Sequence, residues 1–95
     1  MLISVPAIGP QGAPAHSAPG FGPKGITVNT IAPGRIDTER LRSLGAAGDA
    51  SQVPLGRLGE PAEIAAVACF LASDRASYVT GAVVPVDGGI TRNLL

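Results

Sequence analysis

Along residues 24–31 polar and apolar positions interleave: Ile26, Val28 and Thr30 alternate with Thr27, Asn29 and Ile31. β-Branched side chains at this density suit a pleated, packed strand better than a helix. Pro33-Gly34 then ends the ladder, since proline has no amide hydrogen and glycine leaves a position without Cβ where a flat ligand can approach the main chain. A different period begins near Glu60. Ile64, Val67, Ala68 and Leu71 fall at i, i+3, i+4 and i+7, Pro61 suits the first helical position, and Glu60 and Glu63 favour the positive end of the dipole. The spacing predicts a helix from Glu60 to Ser73. Ala65, Ala66, Cys69 and Phe70 widen its apolar surface to most of the circumference, so neighbours are expected on more than one side. Ala82 to Val86 is a continuous apolar strand, which Pro85 marks as an edge strand because proline cannot donate to a ladder on both sides.

Between these elements the chain is polar and small. Thr38 is placed to cap a short helix starting at Glu39, with Arg40 and Arg42 further along it. Gly45 to Ser51, GAAGDAS, reads as a flexible link, and Asp74 to Gly81 as the turn back toward the sheet. Strand, helix and strand compose a βαβ unit with parallel strands, and open α/β sheets take ligands beyond the carboxyl ends of such strands. Residues 1–23 hold five of the nine prolines together with Gly9, Gly12, Gly20 and Gly22. Beyond a strand at Leu2 to Val5 little regular structure is expected there. The organisation predicted is a Pro/Gly-rich, poorly ordered segment over 1–23 and a βαβ portion over 24–95.

Ninety-five residues allow one small domain, and seven basic against seven acidic side chains leave no field to recruit nucleic acid or an anionic membrane. With only Phe21, Phe70 and Tyr78 aromatic, the core is light. Cys69 is the sole cysteine, so it closes no intrachain disulfide, and its apolar helical setting predicts a buried structural thiol. MLISVPAIGPQG has no basic n-region and its apolar run breaks at Pro6, so neither a signal peptide nor a membrane span is expected, and the cytoplasm is the default compartment. One His and one Cys build no metal site. Gly9-Pro10-Gln11-Gly12 lacks the helix that a dinucleotide fingerprint needs after it.

GITVNTIAPGRIDT, followed by VPLGRLGEPAEIAAVACFLASDRASYVTGAVVPVDGG, resembles the C-terminal third of a classical short-chain dehydrogenase/reductase over about Gly22 to Gly89. The resemblance implies an α/β fold, the C-terminal βαβ part of a Rossmann-type doubly wound parallel sheet. It implies NAD or NADP as cofactor and hydride transfer between alcohol and ketone. It further implies that Pro33, Gly34, Ile36 and Thr38 line the nicotinamide pocket, with the backbone near Ile36 and the Thr38 hydroxyl meeting the carboxamide or the phosphates. Residues 45–51 match the family's mobile lid over substrate.

The family's glycine-rich first turn and its Tyr-x-x-x-Lys pair have no counterpart in this sequence. ISVPAIGPQGAPAHSA faintly resembles the segment from the family's catalytic serine to its tyrosine, with Ser4 in the place of the serine and His16-Ser17-Ala18 in that of Tyr-Ser-Ala. Pro19-Gly20 then replaces Ser-Lys. A histidine flanked by Pro14 and Pro19 is a solvated loop residue rather than a substitute base, and a lone serine near a terminus is a structural or solvent-facing residue. Tyr78 has Ala82, not lysine, four residues on. No catalytic residue is therefore assigned, and Arg57 reads as a structural charge at its loop.

Two readings follow. In one the chain is a fragment of an NAD(P)-dependent oxidoreductase, inactive and not binding the cofactor by itself; in the other it is a non-catalytic assembly piece that pairs with full-length relatives. Counting surfaces, one long helix and a second of one or two turns leave at least one sheet face bare, with Ile26, Val28, Ile31, Val83, Val84 and Val86 in an apolar patch. Homo-oligomers or association with related subunits through Glu60–Ser73 and Ala82–Val86 are the expected consequence.

Overall fold

The computed structural model describes residues 2–8, 22–43, 45 and 50–91. A three-stranded sheet is formed by β1 (Ile3–Ile8), β2 (Ile26–Pro33) and β3 (Val83–Val86), with β2 in the centre. The helices are α1 (Glu39–Ser43) and α2 (Pro61–Leu71), and single 3-10 turns stand at Gly22–Lys24 and Asp74–Ala76. β2 and β3 run parallel with Ile31 opposite Val84, as the α/β crossover reading requires, and β3 lies at an edge as Pro85 demands.

The first strand departs from expectation. It extends to Ile8, three residues beyond the predicted Val5, and pairs antiparallel with β2, Val5 opposite Asn29 and Pro6 opposite Val28. The sheet is therefore mixed rather than wholly parallel. Parallel neighbours need a crossover of a dozen or more residues, usually helical, whereas the sequence after Ile8 is too rich in proline and glycine to favour a helix.

Period-two alternation decides which side chains meet α2. Val5, Thr27, Asn29 and Ile31 turn inward and are buried, Ile31 completely. Leu71 from α2 and Ala76 from the following turn close on Val5 and Ile31, with Ile3, Ile64, Val67, Ala68, Val79, Val84 and Val86 packed around them. Two sequence expectations are corrected by this arrangement. Ile31, Val84 and Val86 belong to the covered face, so the bare face carries Ile26, Val28, Thr30, Val83 and Pro85 instead. Cys69 is exposed, not buried, because α2 packs by one stripe only and Ala65, Ala66, Cys69 and Phe70 point away from the sheet.

The ends of α2 are fixed locally. Glu60 donates its backbone N–H to Glu63 Oε1 at 3.0 Å, Pro61 occupies the first turn, and at the far end Ser73 Oγ donates to the Phe70 carbonyl at 2.6 Å. No described helix is long and apolar enough to cross a membrane.

Candidate functional site

The carboxyl end of β2 leads directly into the stretch singled out by sequence. Gly34 donates its N–H to the Val86 carbonyl at 2.9 Å and so continues the β2–β3 ladder past Pro33. A Cβ on Gly34 would stand 2.5 Å from Asp87 Cβ and 2.6 Å from its Cα. The space freed by the missing side chain is taken by the chain itself: glycine here lets β2 and the start of the Asp87 turn close up.

Ile36 forms a parallel bridge with Gly59. Its two hydrogen bonds run from the Gly59 N–H to the Arg35 carbonyl at 2.9 Å and from the Asp37 N–H to the Gly59 carbonyl at 2.7 Å. Successive peptide groups of an extended chain alternate in direction, so the N–H and C=O of Ile36 face away from Gly59. Neither is hydrogen-bonded to another described residue. Bulk at Gly59 is excluded by the Ile36 side chain, whose Cδ1 would lie 2.9 Å from an added Cβ.

Thr38 Oγ1 accepts the Leu41 N–H at 3.2 Å, the expected N-cap of α1, and its own hydroxyl hydrogen is left to donate elsewhere. Asp37 accepts from Arg42 Nε at 2.9 Å and ties the same turn down. A strap over residues 53–59 then crosses the ends of β2 and β3. Besides the Gly59 bridge, Leu55 N–H donates to the Gly88 carbonyl at 3.1 Å, and Val53 is buried against Gly88, where a Cβ would meet its Cγ1 at 2.6 Å. Beneath the strap lies a cavity of about 470 Å3 whose walls include Ile36, Pro54, Leu55, Pro85 and Val86. Of the four residues predicted for the nicotinamide pocket, only Ile36 lines it; Pro33, Gly34 and Thr38 sit on the adjoining backbone turn.

Charge at the cavity rim is paired. Arg57 grips Glu63 through two hydrogen bonds, 2.7 and 3.0 Å, and also donates to the Leu58 carbonyl. Arg57 thus carries an ion pair with Glu63 at its loop, in keeping with the structural role expected of it. The guanidinium, with the Glu60 amide, holds the Glu63 carboxyl down at about 2, against an ordinary 4.5. Asp87 is held low as well, by Thr91 and by the Gly89 amide. Ser4 is exposed on β1, Tyr78 is fully exposed, and His16 lies outside the described residues. Among the described residues no three His, Cys, Asp or Glu side chains gather as metal ligands.

Asn29 is the residue that sequence reading missed. It is 1% exposed, donates from Nδ2 to the Val79 carbonyl at 3.0 Å and accepts the Ala82 N–H at Oδ1 at 3.1 Å. A polar side chain at an inward strand position was the available signal.

Residues 15–91 match the profile of the family described as enoyl-(acyl carrier protein) reductase. The cyclohexanol dehydrogenase of Rhodococcus sp. (strain TK6) is 56% identical over 75 residues, 75% of this chain and 28% of that protein. The 3-oxoacyl-(acyl-carrier-protein) reductase of Pseudomonas aeruginosa is 57% identical over 72 residues, 73% of this chain and 29% of that protein. Among solved structures, a candidate 2-deoxy-d-gluconate 3-dehydrogenase of Agrobacterium tumefaciens with bound NADP matches with TM-score 0.61 and 46% identity, covering 70% of this chain and 29% of that one. YwfH, an NADPH-dependent reductase of bacilysin biosynthesis, matches with TM-score 0.64 and 38% identity, over 72% and 31% respectively. The chain thus spans less than a third of the length of these relatives.

Proposed function

The chain belongs to the short-chain dehydrogenase/reductase family of oxidoreductases, and on that premise we propose that residues 33–38 form the nicotinamide-side wall of an NAD(P)-dependent alcohol/ketone oxidoreductase. The observation that carries this reading is the outward donor and acceptor of Ile36. A primary carboxamide sets a carbonyl acceptor beside an NH2 group with two N–H donors, and the Ile36 N–H and C=O, held outward by the bridge to Gly59, complement the carbonyl and one of those N–H groups. The Thr38 hydroxyl, anchored as an N-cap, retains a hydrogen for the same amide or for a phosphate oxygen. The cofactor, when bound, supplies the hydride; the residues of this chain hold its ring end and exclude water with the strap over 53–59.

By itself the chain is proposed not to turn over. Its only tyrosine, Tyr78, is fully exposed and has alanine four residues on, so it forms no Tyr-x-x-x-Lys pair for proton transfer. Nor does the sequence contain a glycine-rich turn opening a helix for the pyrophosphate. With each lost charged hydrogen bond worth roughly 1.5 to 3 kcal/mol, NADPH should give no saturable micromolar isotherm in calorimetry. The positive test is a chimera in which residues 22–91 replace the matching part of the P. aeruginosa reductase. Cofactor-dependent reduction should survive, and Ile36→Pro, which deletes the amide donor, should raise the cofactor KM about tenfold or more. An inactive chimera with an intact fold, or a proline variant with unchanged KM, would sink the assignment.

A second proposal concerns partners. Phe70 at 47% and Val83 at 64% exposure favour self-association or pairing with related subunits through α2 and β3.

A further inference from the structure

The hydrogen bonds of β2 fix which way every backbone group of its neighbours faces. The Val28 N–H donates to Thr80 Oγ1 and its carbonyl accepts from the Gly81 N–H, so both Val28 groups are turned toward the β3 side. Thr30 N–H likewise goes to the Ala82 carbonyl at 2.8 Å. Thr27, Asn29 and Ile31 therefore present their backbone groups to β1, and the β1 residues opposite them, Ala7, Val5 and Ile3, make the ladder. Pro6, opposite Val28, has its nitrogen on the outer edge of β1. At the other edge the Ala82 and Val86 carbonyls accept from Thr30 and Gly34, which turns the intervening Val83 and Pro85 outward. Pro85 thus also has its nitrogen on a free edge. Each of these prolines stands where an amide donor would otherwise face solvent, and neither removes a bond from the ladder.

From this placement we infer that the two free edges of the sheet are closed to strand addition by Pro6 and Pro85, so that this chain associates through side-chain faces and not through backbone pairing. A four- to six-residue strand offers few outward donors, and removing one from the middle interrupts the row that a second strand must match. Among the described residues no further strand pairs beyond β1 or β3.

The test uses the full chain with Pro6→Val and Pro85→Val, separately and together, and Ser4→Val as a control that adds apolar area to β1 without adding an amide. Hydrogen exchange is read first. The amide created at position 6 should exchange about tenfold or more faster than those of Val5 and Ala7, and the one at position 85 faster than those of Val84 and Val86. Thioflavin-T-positive assembly is read second: the double variant should assemble at least about tenfold faster than the parent chain, and Ser4→Val at the parent rate. Protection of either new amide, loss of folding in either variant, unchanged assembly of the double variant, or equal acceleration by Ser4→Val would each overturn the inference.

Discussion

Asn29 shows how one polar side chain can hold two distant segments together. Its amide bonds to the Val79 carbonyl and the Ala82 N–H clamp the turn that leads into β3 onto the centre of β2, fifty residues away in sequence. Buried groups of this kind are worth most when removed, since the partners left behind lose both water and protein bonds. Asn29→Val raises the β-propensity and roughly keeps the size but strands both groups. Chemical denaturation should register a loss of about 1 to 3 kcal/mol for each stranded group; an unchanged midpoint would show the clamp to be dispensable. The clamp was not legible in the sequence, because alternation marks Asn29 as inward without naming its partners. Thr38 was legible, because a cap is satisfied within its own turn. Gly34 was half legible: the need for glycine could be read, but Asp87, which takes up the space, lies 53 residues further on.

Helix α2 illustrates which properties of an element are local. Its start, its proline and its acidic first turn follow from Glu60, Pro61 and Glu63, and the structure realises them with the Arg57 bridge added. Its surroundings do not follow from its own sequence. An all-round apolar helix predicts cover on several sides, yet α2 is packed along one stripe, and the consequence is an exposed Cys69. The same limit applied to β1, whose strand character was foreseen at Leu2 to Val5 but whose antiparallel pairing depends on the connection to β2. The cap of α2 carries a pH signature with a definite sign. Glu63 has its carboxyl held below the ordinary range, so its bonds to Arg57 and the Glu60 amide stabilise the fold fully above about 4.5 and are lost as pH falls toward about 2. Urea midpoints followed down that window should decline, and Glu63→Gln should flatten the decline while leaving the part due to Asp87, which is depressed in the same direction. An equal acid decline in the variant would assign the effect elsewhere. Because the pair is exposed, salt should weaken it.

At the scale of the whole molecule the decisive feature is that one helix serves a sheet with two faces. Val5, Ile31, Leu71 and Ala76 make the core beneath α2, while Ile26, Val28, Val83 and Pro85 on the opposite face meet no helix among the described residues. Sheets with parallel strands are ordinarily covered on both faces, so the proposed association with a second copy or a related subunit is expected to use the uncovered one. The alternation along β3 turns this into a sharp experiment. Val83, 64% exposed, lies on the bare face, whereas Val84 packs against the core. Val83→Asp should dissolve self-association, seen as a shift in sedimentation velocity toward a single 9.4 kDa species, with little change in helical circular dichroism. Val84→Asp places its charge against apolar core side chains and should unfold the chain instead. A parent chain that already sediments as a compact, cooperatively melting monomer would refute the association. Survival of the association in Val83→Asp would move it from β3 to the outer stripe of α2, where Phe70→Asp is the corresponding variant.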